Sequence, residues 1–323
     1  RRTPMPTPHT HPIFIDLFDY AGLFPPANLD MPAAVANYAA YKASPHNAML
    51  ARFVVPLAKL EPFEHAAAQH LPKPAGNPAK DDEARWRLSA IINPDADLNQ
   101  QIDAVFDFNQ RHEEEPDHGL AEIDALELRA ASPRDIDHAM NIIPEQLDPY
   151  FELDHANDIR GHLTALAGTG GNAKIRCGGV TPDKIPSCQQ VAAFIASCAQ
   201  ADVPFKFTAG LHHPIRKEQP LTYENNPPRA TMHGFINVLT AATLALTRRL
   251  NEHDLTPIIN ENDPAAFRFH DDAISWNNHT LTAEDIHRAR DAFAISIGSC
   301  SFTEPVEDLS ALGILKNTTS ATT

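Results

Sequence analysis

The sequence predicts a single (β/α)8 barrel, the TIM-barrel fold, and three observations lead to this prediction. The chain has 323 residues, which suits one large α/β barrel. Short runs rich in β-branched and aromatic residues recur at intervals of roughly thirty residues, separated by Ala-rich or charged stretches typical of helices. Eight such runs lie at 13–18, 51–57, 87–93, 124–130, 150–154, 173–178, 204–210 and 293–299. Eight strands favour a closed barrel, with a doubly wound open sheet as the main alternative.

The segments between these runs define the helices and one insertion. Helices are predicted at 32–43, 97–112, 187–200 and 304–315. The long segment at about 211–290, between the seventh and eighth runs, is interpreted as an insertion within one domain that spans 13–315. The Pro- and Thr-rich residues 1–12 and the closing residues 316–323 are predicted to be disordered.

The charge and the apolar content of the chain exclude several classes of partner. The 42 acidic and 26 basic residues give a formal net charge of −16, which argues against binding to nucleic acid or to an anionic membrane surface. No apolar run approaches the roughly 18–20 residues of a membrane span, and the N-terminus lacks a signal-peptide core. The four cysteines lack metal-binding spacing. We expect a cytoplasmic protein with reduced thiols and a small-molecule ligand, and a homo-oligomer is compatible with the sequence.

Alternation along the predicted strands places polar side chains on the barrel axis. Successive side chains of a strand point to opposite faces, so the residues between apolar positions turn inward. The residues predicted to face the axis include Asp16, Glu127, Arg129, Glu152, Lys174, Arg176, Lys206 and Thr208. Most lie near the carboxyl ends of their strands, where barrel enzymes build their active sites. In contrast, Arg52 and Arg87 come early in their strands and are expected to form structural ion pairs.

Lys174 and Lys206 are the main candidate catalytic residues, because burying a lysine costs several kcal/mol unless it is paired or its pKa shifts. Two neighbouring ammonium groups repel each other, and we expect this repulsion to lower the pKa of one of them. A neutral amine is a nucleophile for carbonyl groups. Glu127 and Asp16 are the inward carboxyl groups expected to assist as acid or base.

Three short motifs carry a resemblance to a known enzyme family. The run KIRCG begins at Lys174, the run KFTAG begins at Lys206, and IGSCSF precedes the last predicted helix. This arrangement resembles the class I aldolases of the deoxyribose-phosphate aldolase family, over residues of about 170–310. In that family a Schiff-base lysine lies on the sixth barrel strand, a second lysine follows on the seventh, and a Gly-Ser turn after the eighth helps to hold phosphate.

The resemblance implies roles for particular residues of this chain. Lys174 would form the imine and Lys206 would tune its pKa. Three residues of the last turn would contact an anionic group: Gly298, Ser299 and Ser301. The family's acid/base aspartate has no direct counterpart, and Asp16, Glu127 or Glu152 could take its place. Arg129, Arg176, Thr208, His212 and His213 are the remaining candidates for substrate binding. The expected activity is therefore a cofactor-free lyase acting on a small anionic carbonyl compound.

Two alternatives remain open on the sequence alone. His212 and His213 directly follow the seventh predicted strand and His233 opens the next helix, so these imidazoles with an inward carboxylate could bind zinc or another divalent metal. The protein would then be a metal-dependent hydrolase or isomerase. A barrel that binds a small anion without catalysis is the second alternative.

Overall fold

The computed structural model of the chain describes residues 10–315 and contains a closed barrel of parallel strands. In chain order the strands are β1 (Phe18–Tyr20), β2 (Leu50–Pro56), β3 (Trp86–Ile91), β4 (Ala121–Arg129), β5 (Asp148–Glu152), β6 (Asn172–Arg176), β7 (Phe205–Thr208), β8 (Lys217–Pro220), β9 (Arg229–Met232), β10 (Phe267–Phe269), β11 (Ile274–Trp276), β12 (His279–Leu281) and β13 (Ala294–Ser299). The barrel has the order β1, β13, β7, β6, β5, β4, β3, β2. The predicted TIM barrel is confirmed, and the open sheet is excluded.

Helices alternate with the barrel strands, and several begin at a capping side chain. They are α1 (Met31–Lys42), α2 (Leu60–Ala67), α3 (Pro78–Ala84), α4 (Leu98–Glu114), α5 (Pro133–Met140), α6 (Arg160–Leu166), α7 (Cys188–Ala201), α8 (Phe235–Arg248), α9 (Glu252–Asn260), α10 (Ala283–Ala292) and α11 (Thr303–Ala311). Asp97 caps α4 and Ser187 caps α7, each accepting a backbone N–H of the first turn. Within residues 10–315, none of the helices combines the length and the apolar character that crossing a membrane requires.

The two faces of the barrel strands differ in chemistry, as the alternation predicts. Phe205, Phe207 and Ile175 point outward into the large hydrophobic cluster that the strands share with the helices. The apolar residues on the axis form a separate small cluster of Ala125, Tyr150 and Ile295. Much of the remaining interior is polar, so charged groups take the place of some of the aliphatic layers that usually fill such a barrel.

The long segment between β7 and β13 contributes both to the helix layer and to surface structure. Strands β8 and β9 form an antiparallel hairpin, and β10, β11 and β12 form a separate three-stranded sheet. Helix α8 is almost entirely buried and packs against α7, α9 and α10. Part of the segment is therefore packed within the helix layer that surrounds the barrel.

The start of the barrel differs from the prediction. The predicted first strand at 13–18 is wrong, because Pro12–Phe14 forms a 3-10 turn that buries Ile13 and Phe14, and β1 begins only at Phe18. His11, in the segment expected to be disordered, is also buried. Residues 1–9 and 316–323, where disorder was expected as well, lie outside the described part of the chain.

Candidate active site

Five charged side chains from five strands meet inside the barrel. They are Asp19 on β1, Glu127 on β4, Glu152 on β5, Lys174 on β6 and Lys206 on β7. Strands β6 and β7 are adjacent and parallel, and Lys174 lies opposite Lys206 in their register. The prediction that Lys174 and Lys206 lie on adjacent parallel strands and point into the same interior is confirmed. We call these five residues the interior cluster.

Lys206 is the most deeply buried member of the interior cluster. Its Nζ lies 2.5 Å from Asp19 Oδ2 and 2.8 Å from Glu127 Oε1, and it sits 5.2 Å from the centre of the Tyr150 ring. Burial alone would favour the neutral amine, but the charges of Asp19 and Glu127 outweigh it and raise the pKa of Lys206 above its usual value. The charged form of Lys206 is therefore favoured at neutral pH.

Lys174 lies between two carboxylates. Its Nζ is 2.9 Å from Glu127 Oε2 and 2.9 Å from Glu152 Oε2. Lys174 is 6% exposed whereas Lys206 is 0% exposed, so Lys174 is the more solvent-accessible of the two lysines. Glu152 is partly exposed and also lies 3.9 Å from the guanidinium of Arg176.

Glu127 separates the charges of the two lysines. Its Oε2 accepts a hydrogen bond from Lys174, and its Oε1 accepts one from Lys206. The Ser89 hydroxyl also donates to Oε1, at 3.0 Å. Burial opposes ionisation of this carboxyl, yet the two ammonium groups hold the pKa of Glu127 well below its usual value. An ionised carboxylate therefore lies between the two ammonium groups, and it weakens the direct repulsion on which the predicted effect of Lys206 on Lys174 depends.

The inward carboxylate of β1 belongs to Asp19 and not to Asp16. Asp16 is exposed, has a positive φ of 47° and precedes β1, so the predicted inward Asp16 is wrong. Asp19 occupies the inward position and is fully buried. Its carboxylate accepts the Ser296 hydroxyl at 2.7 Å and the Arg52 backbone N–H at 3.1 Å. The signal for Asp19 was its place between the apolar Phe18 and Tyr20.

The predicted substrate-binding residues of the strand ends lie at the mouth of the barrel. Arg129 and Arg176 are exposed at the carboxyl ends of β4 and β6, on the same strand face as Glu127 and Lys174 respectively. Thr208 ends β7 and lies opposite both Arg176 and Gly298 in the sheet register. The mouth therefore presents two guanidinium groups, which suit carboxylate or phosphate.

The loops after β6 and β7 touch through two glycines. A Cβ built on Gly178 would lie 2.7 Å from the Gly210 Cα, and Gly210 has a positive φ of 75°. No side chain fits between these backbones. The glycine that ends each lysine motif thus sets the distance between the two loops at the rim.

The imidazole of His212 packs against the turn after β13. Ser299 Oγ lies 3.0 Å from His212 Nδ1 and donates to the Ser301 carbonyl at 2.6 Å. Burial lowers the pKa of His212 to about 4, so this imidazole is uncharged at neutral pH. Tyr223, from the loop between β8 and β9, reaches Cys300 of this turn with 3.9 Å between Oη and Sγ. No sequence pattern predicts that Tyr223 lies beside this turn.

The three histidines proposed as metal ligands point to different partners. His213 Nδ1 lies 2.6 Å from Asp308, and His233 Nε2 lies 2.7 Å from the Pro186 carbonyl. Among residues 10–315, they are not part of any group of three candidate ligands whose atoms lie within 4.8 Å of one another. The geometry that the metal-dependent alternative needs is therefore missing from the described residues.

The opposite end of the barrel carries a second ionic network. Arg52 makes a two-point contact with Asp124, at 2.5 Å and 2.9 Å, and Arg87 also contacts Asp124 at 3.0 Å. Arg52 further approaches Asp148 at 3.5 Å. The expectation that Arg52 and Arg87 form structural ion pairs is confirmed.

Comparison with known proteins adds no relative to this description. The chain matches no protein-family model, no curated protein and no solved structure.

Proposed function

We propose that the protein is a lyase that forms an imine between Lys174 and a small carbonyl compound, and makes or breaks a carbon–carbon bond next to it. The observation that carries the proposal is the position of Lys174. It is the more exposed of two interior lysines, at the end of a barrel where active sites lie, with carboxylates at 2.9 Å on two sides. The motif resemblance to class I aldolases points to the same residue.

Each step has a candidate group among the interior cluster. Lys174 first loses a proton to Glu152, and the neutral amine adds to the carbonyl carbon. Loss of water from the adduct gives the iminium ion. A carboxylate then removes the proton of the hydroxyl group two carbons away. The carbon–carbon bond breaks, its electron pair moves into the iminium to give an enamine, and the fragment leaves as an aldehyde.

Release of the second product reverses the first steps. The enamine takes a proton on carbon, and water hydrolyses the resulting iminium to regenerate Lys174 and the second carbonyl compound. Glu152 is the better proton carrier because it is partly exposed, whereas the depressed pKa of Glu127 makes that residue a weak base. The role of Lys206 in this scheme is to hold Glu127 ionised. No cofactor is needed.

The substrate is proposed to be small and anionic. Arg129 and Arg176 flank the mouth on β4 and β6, and guanidinium groups bind carboxylate or phosphate with two parallel hydrogen bonds. The neutral His212 makes the turn after β13 a site for neutral hydroxyl or carbonyl groups of the substrate. A metal-dependent hydrolase has no comparable support, because His212, His213 and His233 do not converge.

Reductive trapping tests the proposal. The protein is incubated with a panel of small aldehydes, 2-oxo acids and phosphorylated carbonyl compounds, and borohydride is added to reduce any imine to a stable amine. Intact mass and peptide mapping then locate the adduct. We expect it on Lys174, and we expect Lys174→Met to abolish it while the exposed Lys184→Met retains it. Lack of any adduct across the panel, or an adduct unaffected by Lys174→Met, would contradict the proposal, and ligand binding without trapping would favour the non-catalytic barrel.

A further inference from the structure

A second group of ligand-type side chains lies outside the barrel, next to the start of β4. Glu64 is on α2, His112 is in the last turn of α4, and His118 ends the 3-10 turn Pro116–His118 that leads into β4. One candidate ligand atom from each lies within 4.8 Å of the others. We propose that these three residues bind a zinc ion that ties α2 and α4 to the loop before β4. This site is separate from the interior cluster and does not depend on the proposed function.

His112 is oriented as a metal ligand. The residue is 2% exposed, and its Nδ1 lies 2.8 Å from the Gly119 carbonyl, which accepts the Nδ1 proton. The lone pair of the neutral ring is then on Nε2. This atom is buried and makes no hydrogen bond, although Glu64 Oε1 lies 3.4 Å away. A buried polar atom without a hydrogen bond is costly, and a metal ion would satisfy it.

His118 repeats the same arrangement with its nitrogens exchanged. Its Nε2 lies 3.2 Å from Glu115 Oε2, while Nδ1 faces Glu64 Oε1 at 3.9 Å. In zinc sites the nitrogen that does not bind the metal commonly donates to a carboxylate or a backbone carbonyl, which fixes the ring and raises its basicity. Here the Gly119 carbonyl accepts from His112, and the Glu115 carboxylate is the corresponding partner of His118.

Glu64 supplies the negative charge. Its Oε1 lies 3.4 Å from His112 Nε2 and 3.9 Å from His118 Nδ1, so the carboxylate faces both imidazoles. Arg111 donates to Oε1 at 2.9 Å and competes with a cation for this carboxylate. A carboxylate has about four lone-pair positions, so it can bind a metal and accept from Arg111 together.

The donor set and the spacing favour zinc. Two imidazoles and one carboxylate are a common zinc ligand set, with water in the fourth position. The 3.4 Å between Glu64 Oε1 and His112 Nε2 matches the edge of a tetrahedron with bonds of about 2.0–2.1 Å. The 3.9 Å between Glu64 Oε1 and His118 Nδ1 must close by about half an ångström to match the same edge, and His118 is on a partly exposed turn.

Zinc titration of the full-length protein tests the site. Protein stripped with a chelator is dialysed against Zn²⁺ in competition with a colorimetric chelator, and bound metal is counted. We expect about one tight equivalent. His118→Ala and Glu64→Gln should each weaken binding by about 100-fold or more, and Glu115→Gln by about tenfold. His138→Ala, an exposed histidine on α5, should bind as the unmodified protein does.

A second readout separates this site from weak surface binding. Co²⁺ in a tetrahedral nitrogen–oxygen site gives visible absorption, and Zn²⁺ should raise the melting temperature of the unmodified protein by mass action. Both effects should be lost in His118→Ala. Retention of tight zinc in both His118→Ala and Glu64→Gln, or absence of tight binding to the folded unmodified protein, would overturn the proposal and leave Glu64 as an ordinary ion-pair partner of Arg111.

Discussion

Lys206 and Asp19 form a buried ion pair inside the barrel, with 2.5 Å between Nζ and Oδ2, although their strands are not neighbours. Strand β13 lies between β7 and β1, and its Ser296 donates to the same oxygen at 2.7 Å. Three strands are thus connected through one carboxylate. Because both charges are out of water, the pair matters most when one partner is removed.

Lys206→Met should destabilise the folded protein strongly. The change leaves Asp19 and Glu127 buried with fewer cationic partners, which costs about 3–5 kcal/mol for a buried pair. Urea unfolding followed by circular dichroism measures the loss. The exposed Lys184→Met is the control and should have a small effect. A loss below about 1 kcal/mol for Lys206→Met would show that the pair contributes little.

The double variant Lys206→Met/Asp19→Asn should lose less stability than the sum of its single variants. Removing both charges leaves no unpaired ion between β7 and β1, so the second substitution partly relieves the first. A thermodynamic cycle built from the four unfolding free energies gives the coupling. Strict additivity would contradict the direct ion pair.

Glu127→Gln should change the acid limb of the stability profile. The folded-state pKa of Glu127 is lowered from 4.5, so its stabilising contribution is fully present above about pH 4.5 and is lost as the pH falls towards the folded pKa. The difference in unfolding free energy between the unmodified protein and Glu127→Gln should therefore shrink on acidification. Measurements from pH 7 to pH 3 test this. A difference that grows as the pH falls would contradict the lowered pKa.

Gly178→Ala should disturb the rim of the barrel. The added Cβ would meet the Gly210 Cα at 2.7 Å, and backbone on both sides must move. We expect a loss of about 1–3 kcal/mol and reduced borohydride trapping on Lys174. Gly161→Ala, at the start of α6, meets a Pro133 side-chain carbon at 3.3 Å, and as the control it should lose less stability than Gly178→Ala. Normal stability and trapping in Gly178→Ala would show that the loops can separate freely.

Asp124→Asn should lower the free energy of unfolding but leave imine formation at Lys174 intact. Asp124 lies among Arg52 and Arg87 at the end of the barrel opposite the mouth, so the change should cost several kcal/mol in unfolding free energy. The folded Asp124→Asn protein should still form the borohydride-trapped adduct on Lys174. Loss of trapping with an intact fold would place Asp124 in the chemistry after all.

The parts of the site on regular strands could be predicted from the sequence. Glu127, Lys174 and Lys206 each stand between two apolar residues of one run, and the alternation of a strand then decides which way they face. The residues beside them pack outward against the helices, as expected: Leu126, Ile175, Phe205 and Phe207. The closed barrel was predicted from the number of apolar runs, although the first run, at 13–18, ends where β1 begins.

The start of the chain and the charge balance could not be predicted in this way. The run at 13–18 has the composition of a strand, but Pro12 and the positive φ of Asp16 turn the chain before β1 begins. The position of Glu127 between both lysines depends on how β4 faces β6 and β7 across the barrel. No local pattern reports a contact between strands that are distant in the sequence.

The interior cluster limits which amino-acid substitutions this barrel can accept during evolution. Its five members carry two positive and three negative charges, and the buried contacts join residues on β1, β4, β5, β6 and β7. A substitution at one position leaves a counter-charge exposed to a medium that cannot solvate it. Accepted changes should therefore arrive in compensating sets. In an alignment of relatives, positions 19, 127 and 206 should co-vary so that the charge sum is kept even where the residue types are not.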